Sequence, residues 1–131
     1  MREYKFRAWD NENNQMLDVQ ELNFEDCFYG GEMQIKTTMY NDYFDYREMP
    51  LMQYTGLHDK NGKEIYEGDI VKVRKWSSFE TEIVKFDKGC FYAGMHYGSS
   101  TRTTLKLIQP KMTEVIGNIY ENKELLNETN R

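Results

Sequence analysis

Two histidines, two cysteines and the carboxylates Glu67 and Asp69 are the residues of this 131-residue chain to weigh first for bond-making or metal chemistry. Imidazoles ligate metals when they come as HxH or HxxxH pairs, or beside CxxC. His58 and His96 have no such neighbour, and Cys27 and Cys90 lie far apart. A thiol becomes a nucleophile when a base or a positive field lowers its pKa. Cys90 follows a turn glycine with neither in evidence, so it is expected as a small buried thiol. Glu67 and Asp69 flank Gly68. In a strand they would share one face, as acid–base pairs do. Around a glycine they are expected as turn formers. Ser99, Ser100, Thr101, Thr103 and Thr104 read as a polar loop, and no GxxxxGK[ST] or GxGxxG phosphate loop is present. The residues therefore offer no catalytic, cofactor-binding or metal site, and a non-enzyme is expected.

The elements that would position these side chains are strands. Residues 51–73, LMQYTGLHDKNGKEIYEGDIVKV, organise the chain. Met52 and Tyr54 alternate with Gln53 and Thr55, the period of a half-buried strand. Asp59-Lys60-Asn61-Gly62 has the composition of a hairpin turn. Lys63–Tyr66 returns, Glu67-Gly68-Asp69 turns again, and Ile70, Val71 and Val73 enter a β-branched run. Further strands are expected over 81–86, 90–93, 105–108 and 114–120, with a helical turn at 121–126. That spacing predicts a small closed or half-closed antiparallel barrel.

Upstream, residues 4–9 alternate as a strand ending in a core Trp9. The polar run Asp10–Asn14 turns it back into Met16, Leu17 and Val19. Residues 20–50 have mixed periodicity, with a break at Tyr29-Gly30-Gly31 and alternation again at Met33 and Ile35. Tyr40, Tyr43, Phe44 and Tyr46 stand among Asp42, Asp45 and Glu48. This acidic, aromatic segment has two readings: rings packed inward, or a surface for a partner. Pro50 marks a boundary between residues 1–50 and residues 51–131.

The totals narrow the function classes. Aromatics are 15% of the chain, charged residues 30%, and there are only 2 prolines, which argues for a folded chain with rings in its core. Two unpaired cysteines fit a reducing compartment. MREYKFRAWD lacks an apolar signal segment and no run is long enough to span a bilayer, so a cytoplasmic protein without membrane contact is expected. The net charge of −5 is unevenly spread. Residues 1–50 hold 5 basic and 11 acidic side chains, whereas 72–111 hold 8 and 3. Opposite signs in two parts of one chain suit head-to-tail pairing of copies, or one anionic partner.

Three blocks carry a family likeness: YKFRAWD at 4–10, MQYTGLHDKNGKEIYEGDIV at 52–71 and EVIGNIYENKELL at 114–126. In sequence, order and spacing the chain resembles the YopX family of phages and prophages of low-GC Gram-positive bacteria. Lys123 departs from it, since relatives often have proline there. The resemblance implies a mainly β protein whose C-terminal part is an SH3-like barrel, preceded by an N-terminal hairpin and a variable segment. It also implies self-association. It brings no catalytic or binding residue with it.

The function expected from the sequence is a non-enzymatic assembly or binding module that forms homo-oligomers or engages a phage or host protein. Tyr40, Tyr43, Phe44 and Tyr46 are its candidate contacts. The alternative is a nucleic-acid-associated accessory protein. It would use the basic 72–111 region, with Lys72, Arg74, Lys75 and Trp76 as contacts. The acidic pI of about 5.1 and the lack of an established nucleic-acid motif weigh against it.

Overall fold

The computed structural model describes residues 3–25, 31–87, 89–94 and 106–128. Cys27, Phe28, Tyr29, Gly30, Lys88, His96 and the Ser/Thr-rich segment at 99–104 lie outside the described residues. The chain divides into two compact units, Glu3–Gln53 and Tyr54–Arg131. Both are built almost wholly from antiparallel strands.

In the first unit β1 (Phe6–Asp10) and β2 (Gln15–Asn23) form the hairpin expected from the alternation. Asn14 takes the positive φ of 51° that its turn requires. β3 (Gln34–Thr37) pairs with β2, and β4 (Tyr43–Asp45) pairs with β3. On the other side, β1 pairs with the first residues of β5 (Leu51–His58). Ala8, Leu17 and Met49 make the apolar centre, with Val19, Tyr40 and Phe44 packed against it. Trp9 is buried, as expected.

In the second unit the later part of β5 pairs with β6 (Glu64–Tyr66) around the 59–62 turn. A five-stranded sheet follows, in the order β10-β9-β8-β7-β11. Its strands are β7 (Asp69–Arg74), β8 (Phe79–Asp87), β9 (Cys90–Gly94), β10 (Lys106–Leu107) and β11 (Thr113–Asn118). The one α-helix among the described residues, α1 (Lys123–Glu128), is where a helical turn was expected.

Residues paired across strands share a face. Val71 and Val73 therefore lie beside Glu82 and Glu80 on one side, and Val115 and Thr113 on the other. Val84 pairs with Ala93. This face carries the core of Ile65, Val71, Val84, Ala93 and Ile108. The opposite face brings Ile70, Ile83 and Tyr92, which are also buried.

The sheet is open among the described residues. β10 and β11 are its two edges, so the SH3-like barrel expected from the sequence does not appear as a closed barrel. Among the described residues β10 is two residues long, and Pro110 opens a 3₁₀ turn, Pro110–Met112, before β11. A proline has no N–H to give to a ladder.

Candidate functional site

The buried aspartates Asp10, Asp59 and Asp69 are held by donors from their own fold. Asp10, 2% exposed, accepts from the Tyr40 hydroxyl at 2.7 Å and from the Asn13 and Gln15 amides at 3.1 Å each. The backbone N–H of Glu12 adds a fourth bond at 3.0 Å. The Tyr40 bond comes first among the causes that hold the Asp10 carboxyl well below the usual carboxylate range, and it raises the Tyr40 phenol in return. Asp59 accepts from the backbone N–H groups of Asn61, Lys63 and Val115, each at 2.9 Å. Burial works against its charged form, but these three donors outweigh it and keep its pKa low. Asp69 accepts from the Tyr66 N–H at 2.7 Å and is 2% exposed, so it is a turn former, as the flanking glycine suggested.

The family-like blocks are thus turn clamps. Asp59 ties its hairpin to β11, and Gly68, at a φ of 84°, donates to Val84 and accepts from Ile119. Asn118 caps the closing turn by accepting from Tyr120 and Glu121, while Asn122 accepts from the Asn118 N–H.

A groove of about 380 Å³ opens in the second unit, on the core face of the five-stranded sheet. Val73, Ala93 and Ile108 form its floor, continuous with the core. Pro110 opens a 3₁₀ turn, and the residues on either side of it bring Gln109, Met112 and Thr113 to one wall. Glu82 forms another wall; its side chain is nearly buried, and its carboxylate lies 3.5 Å from the Lys75 ammonium. Lys75 also reaches Glu80 at 3.7 Å. The Lys75 N–H donates to the Ser78 carbonyl, which closes the β7–β8 turn with Trp76 and Ser77 at its tip. Trp76 stands at the rim, fully exposed at 103%, beside Arg74.

Of the four residues expected to touch nucleic acid, three line this groove: Arg74, Lys75 and Trp76. Lys72 sits instead over the Phe79 ring, 4.4 Å from its centre. The four aromatic candidates divide. Tyr40 and Phe44 pack into the first unit, edge to face at 5.4 Å, whereas Tyr43 and Tyr46 are exposed. Cys90 is exposed, which corrects the expected buried thiol: it begins β9 at the turn, before the strand enters the core. Sequence reasoning missed Glu82, Ile108, Met112 and Thr113. Glu82 left a signal, because it stands two residues before Val84 and so on the inward face of β8.

Among the described residues no group of three or more His, Cys, Asp or Glu side chains is placed to hold a metal, and no helix is long and apolar enough to cross a membrane.

The fold and its clamps define a two-unit antiparallel β protein with a groove at the open end of the second sheet. The sequence profile of the YopX protein family matches residues 5–127, and the chain belongs to that family. It is similar to the crystal structure of protein EF1440 from Enterococcus faecalis, with a TM-score of 0.63 and 28% identity over 96% of this chain and 99% of that one. It is also similar to protein yopX from Bacillus subtilis, with a TM-score of 0.62 and 25% identity over 93% and 95% of the two chains. No curated protein matches the chain.

Proposed function

We propose that this protein is a non-enzymatic, self-associating binding module. It would hold an assembly together, or engage a phage or host protein, in the cytoplasm of a bacterial host cell. The observation that carries the reading is the groove with Trp76 fully exposed at its rim. Leaving a large aromatic in water forgoes up to about 3 kcal/mol of burial free energy. Tryptophans in that position anchor interfaces. The buried carboxylates support the same reading, since Asp10, Asp59 and Asp69 already hold backbone or side-chain donors in fixed turns. The second unit is best described as an opened relative of an SH3-like barrel. The support is its meander β7–β8–β9–β10 and the return of β11 to the side of β7. Sedimentation velocity of the pure protein tests the function. Association in the micromolar range is expected, and a clean monomer throughout that range would remove self-association.

A second reading, nucleic-acid binding, draws on Trp76 beside Arg74, a pair suited to stacking and phosphate contact. It weakens because Glu80 and Glu82 already engage Lys75. It predicts binding to single-stranded oligonucleotides that falls steeply with salt and is lost in K72E/R74E. No binding at low salt would retire it.

A further inference from the structure

The two faces of the β7–β8 hairpin differ in chemistry. Val71, Val73, Glu80 and Glu82 share the groove face, and Lys75 turns to the same two carboxylates. Strand alternation sends the Lys72 and Arg74 side chains to the other face, although Arg74 borders the groove as a residue. There Lys72 stands across from Thr81, and Arg74 across from Phe79. We infer that this second face binds single-stranded nucleic acid, with Phe79 as the ring on which a base stacks and Lys72 and Arg74 as its phosphate contacts. The inference rests on the nucleic-acid reading above, moves its contacts to the face opposite the groove and names the stacking residue.

Three observations converge on this ligand. The first is exposure. Ile70 and Ile83, further along the same face, are buried, whereas Phe79 is 54% exposed and Lys72 and Arg74 are exposed. The open part of the face is therefore the end beside the turn that the Lys75 N–H closes on Ser78. The second is geometry. Side chains directly across a strand pair start about 5 Å apart, which sets Arg74 beside the Phe79 ring. The Lys72 ammonium lies 4.4 Å from the centre of that ring. An exposed contact between a cation and a ring is weak, so a base can take the place of the ammonium. The long, flexible Lys72 stem then lets it turn to the phosphate of that base. A single strand repeats a flat base and a phosphate, which a ring with cations at its side can receive together.

The third observation is charge. Neither Lys72 nor Arg74 has an ion pair among the described residues. Glu114, across from Lys72 on β11, lies 3.7 Å from the Lys60 ammonium. Glu80 and Glu82, which hold Lys75 away from a phosphate, belong to the groove face and leave this one alone. This end of the sheet thus presents positive charge on a chain whose net charge is −5.

Fluorescence anisotropy of a labelled oligothymidylate about twelve nucleotides long, titrated with the protein at several salt concentrations, tests the inference. Phe79→Ala is expected to weaken binding about tenfold, and Phe79→Tyr, which keeps a ring, to restore it. Arg74→Gln and Lys72→Gln are each expected to lower the slope of log affinity against log salt by about 0.7. Met112→Ser, on the groove wall, is expected to bind as wild type does. All four residues are exposed, and unchanged circular dichroism would show that each variant folds. If wild type binds but Phe79→Ala binds equally well, this surface is wrong while the nucleic-acid reading stands. Weakening by Met112→Ser as large as that by Phe79→Ala would return the strand to the groove and overturn the inference. Equal affinity for a duplex, whose base faces are closed to Phe79, would overturn it too, as would competition by polyglutamate as strong as by unlabelled oligonucleotide. No binding by wild type at low salt would overturn both the inference and the reading beneath it.

Discussion

Asp59 is the residue whose removal should most sharply separate a fold built on turn clamps from one held by strand pairing alone. Its carboxylate, 6% exposed, accepts three backbone N–H groups, one of them 56 residues away on β11. A hydrogen bond to a charged group contributes roughly 1.5–3 kcal/mol. In Asp59→Ala the Asn61 and Lys63 N–H groups lie in an exposed turn, where water replaces the carboxylate. The Val115 N–H loses its partner beneath the hairpin. The net cost is therefore nearer one such bond than three, about 3 kcal/mol, or a fall in Tm of roughly 10 °C. Asp59→Asn keeps one acceptor oxygen and loses the charge, so about half that is expected.

The pH dependence has a definite sign. The folded-state pKa of Asp59 is depressed, so its contribution is complete above the ordinary carboxylate value and is lost as pH falls through the folded value. The deficit of Asp59→Asn should be full at pH 7 and should shrink below about pH 4. Thermal unfolding from pH 7 to pH 2 measures it, and hydrogen exchange at the Val115 amide localises it. A variant that melts within a degree of wild type would refute the reasoning. So would a deficit that persists undiminished in acid.

Three further outcomes follow from the geometry. Gly117→Ala would place a methyl carbon 2.5 Å from the Asn122 carboxamide oxygen, which accepts from the Asn118 N–H; loss of that cap should cost about 1–3 kcal/mol in chemical denaturation. Tyr40 should ionise above an ordinary tyrosine because its hydroxyl donates to Asp10, and Asp10→Asn should bring it back down in an ultraviolet titration. Cys90 should react with a thiol reagent in the native protein, as mapped by mass spectrometry of the labelled peptides, because its side chain is exposed.

Local signals in the sequence told most of the fold, and long-range ones told less. The polar runs at 10–14 and 59–62 announced their turns because Asn, Asp and Gly tolerate the backbone they need. The period-2 runs from residue 51 onward placed β5 to β9 to within a few residues. Residues 20–50 stayed ambiguous because β3 and β4 are short and mix polar with aromatic residues. Their identity is set by pairing with β2, which no local pattern states. The inward role of Tyr40 rests on a bond to Asp10, 30 positions earlier. The groove was only half legible. Arg74, Lys75 and Trp76 stood out as a basic, aromatic run, but their neighbours Ile108 and Met112 come from far along the chain, on either side of Pro110, which no local pattern states.

The central claim is that the groove beside Trp76 is a surface made to be covered by another chain. The chain has two tryptophans, and Trp9 is buried, so a soluble quencher reads mainly Trp76. Acrylamide quenching across a dilution series, with the mass of each sample measured by light scattering, tests the claim directly. Trp76 should become protected and its emission should shift to the blue at the concentrations where mass rises. Mass that rises while Trp76 stays fully open to quencher, or that never rises, would contradict it.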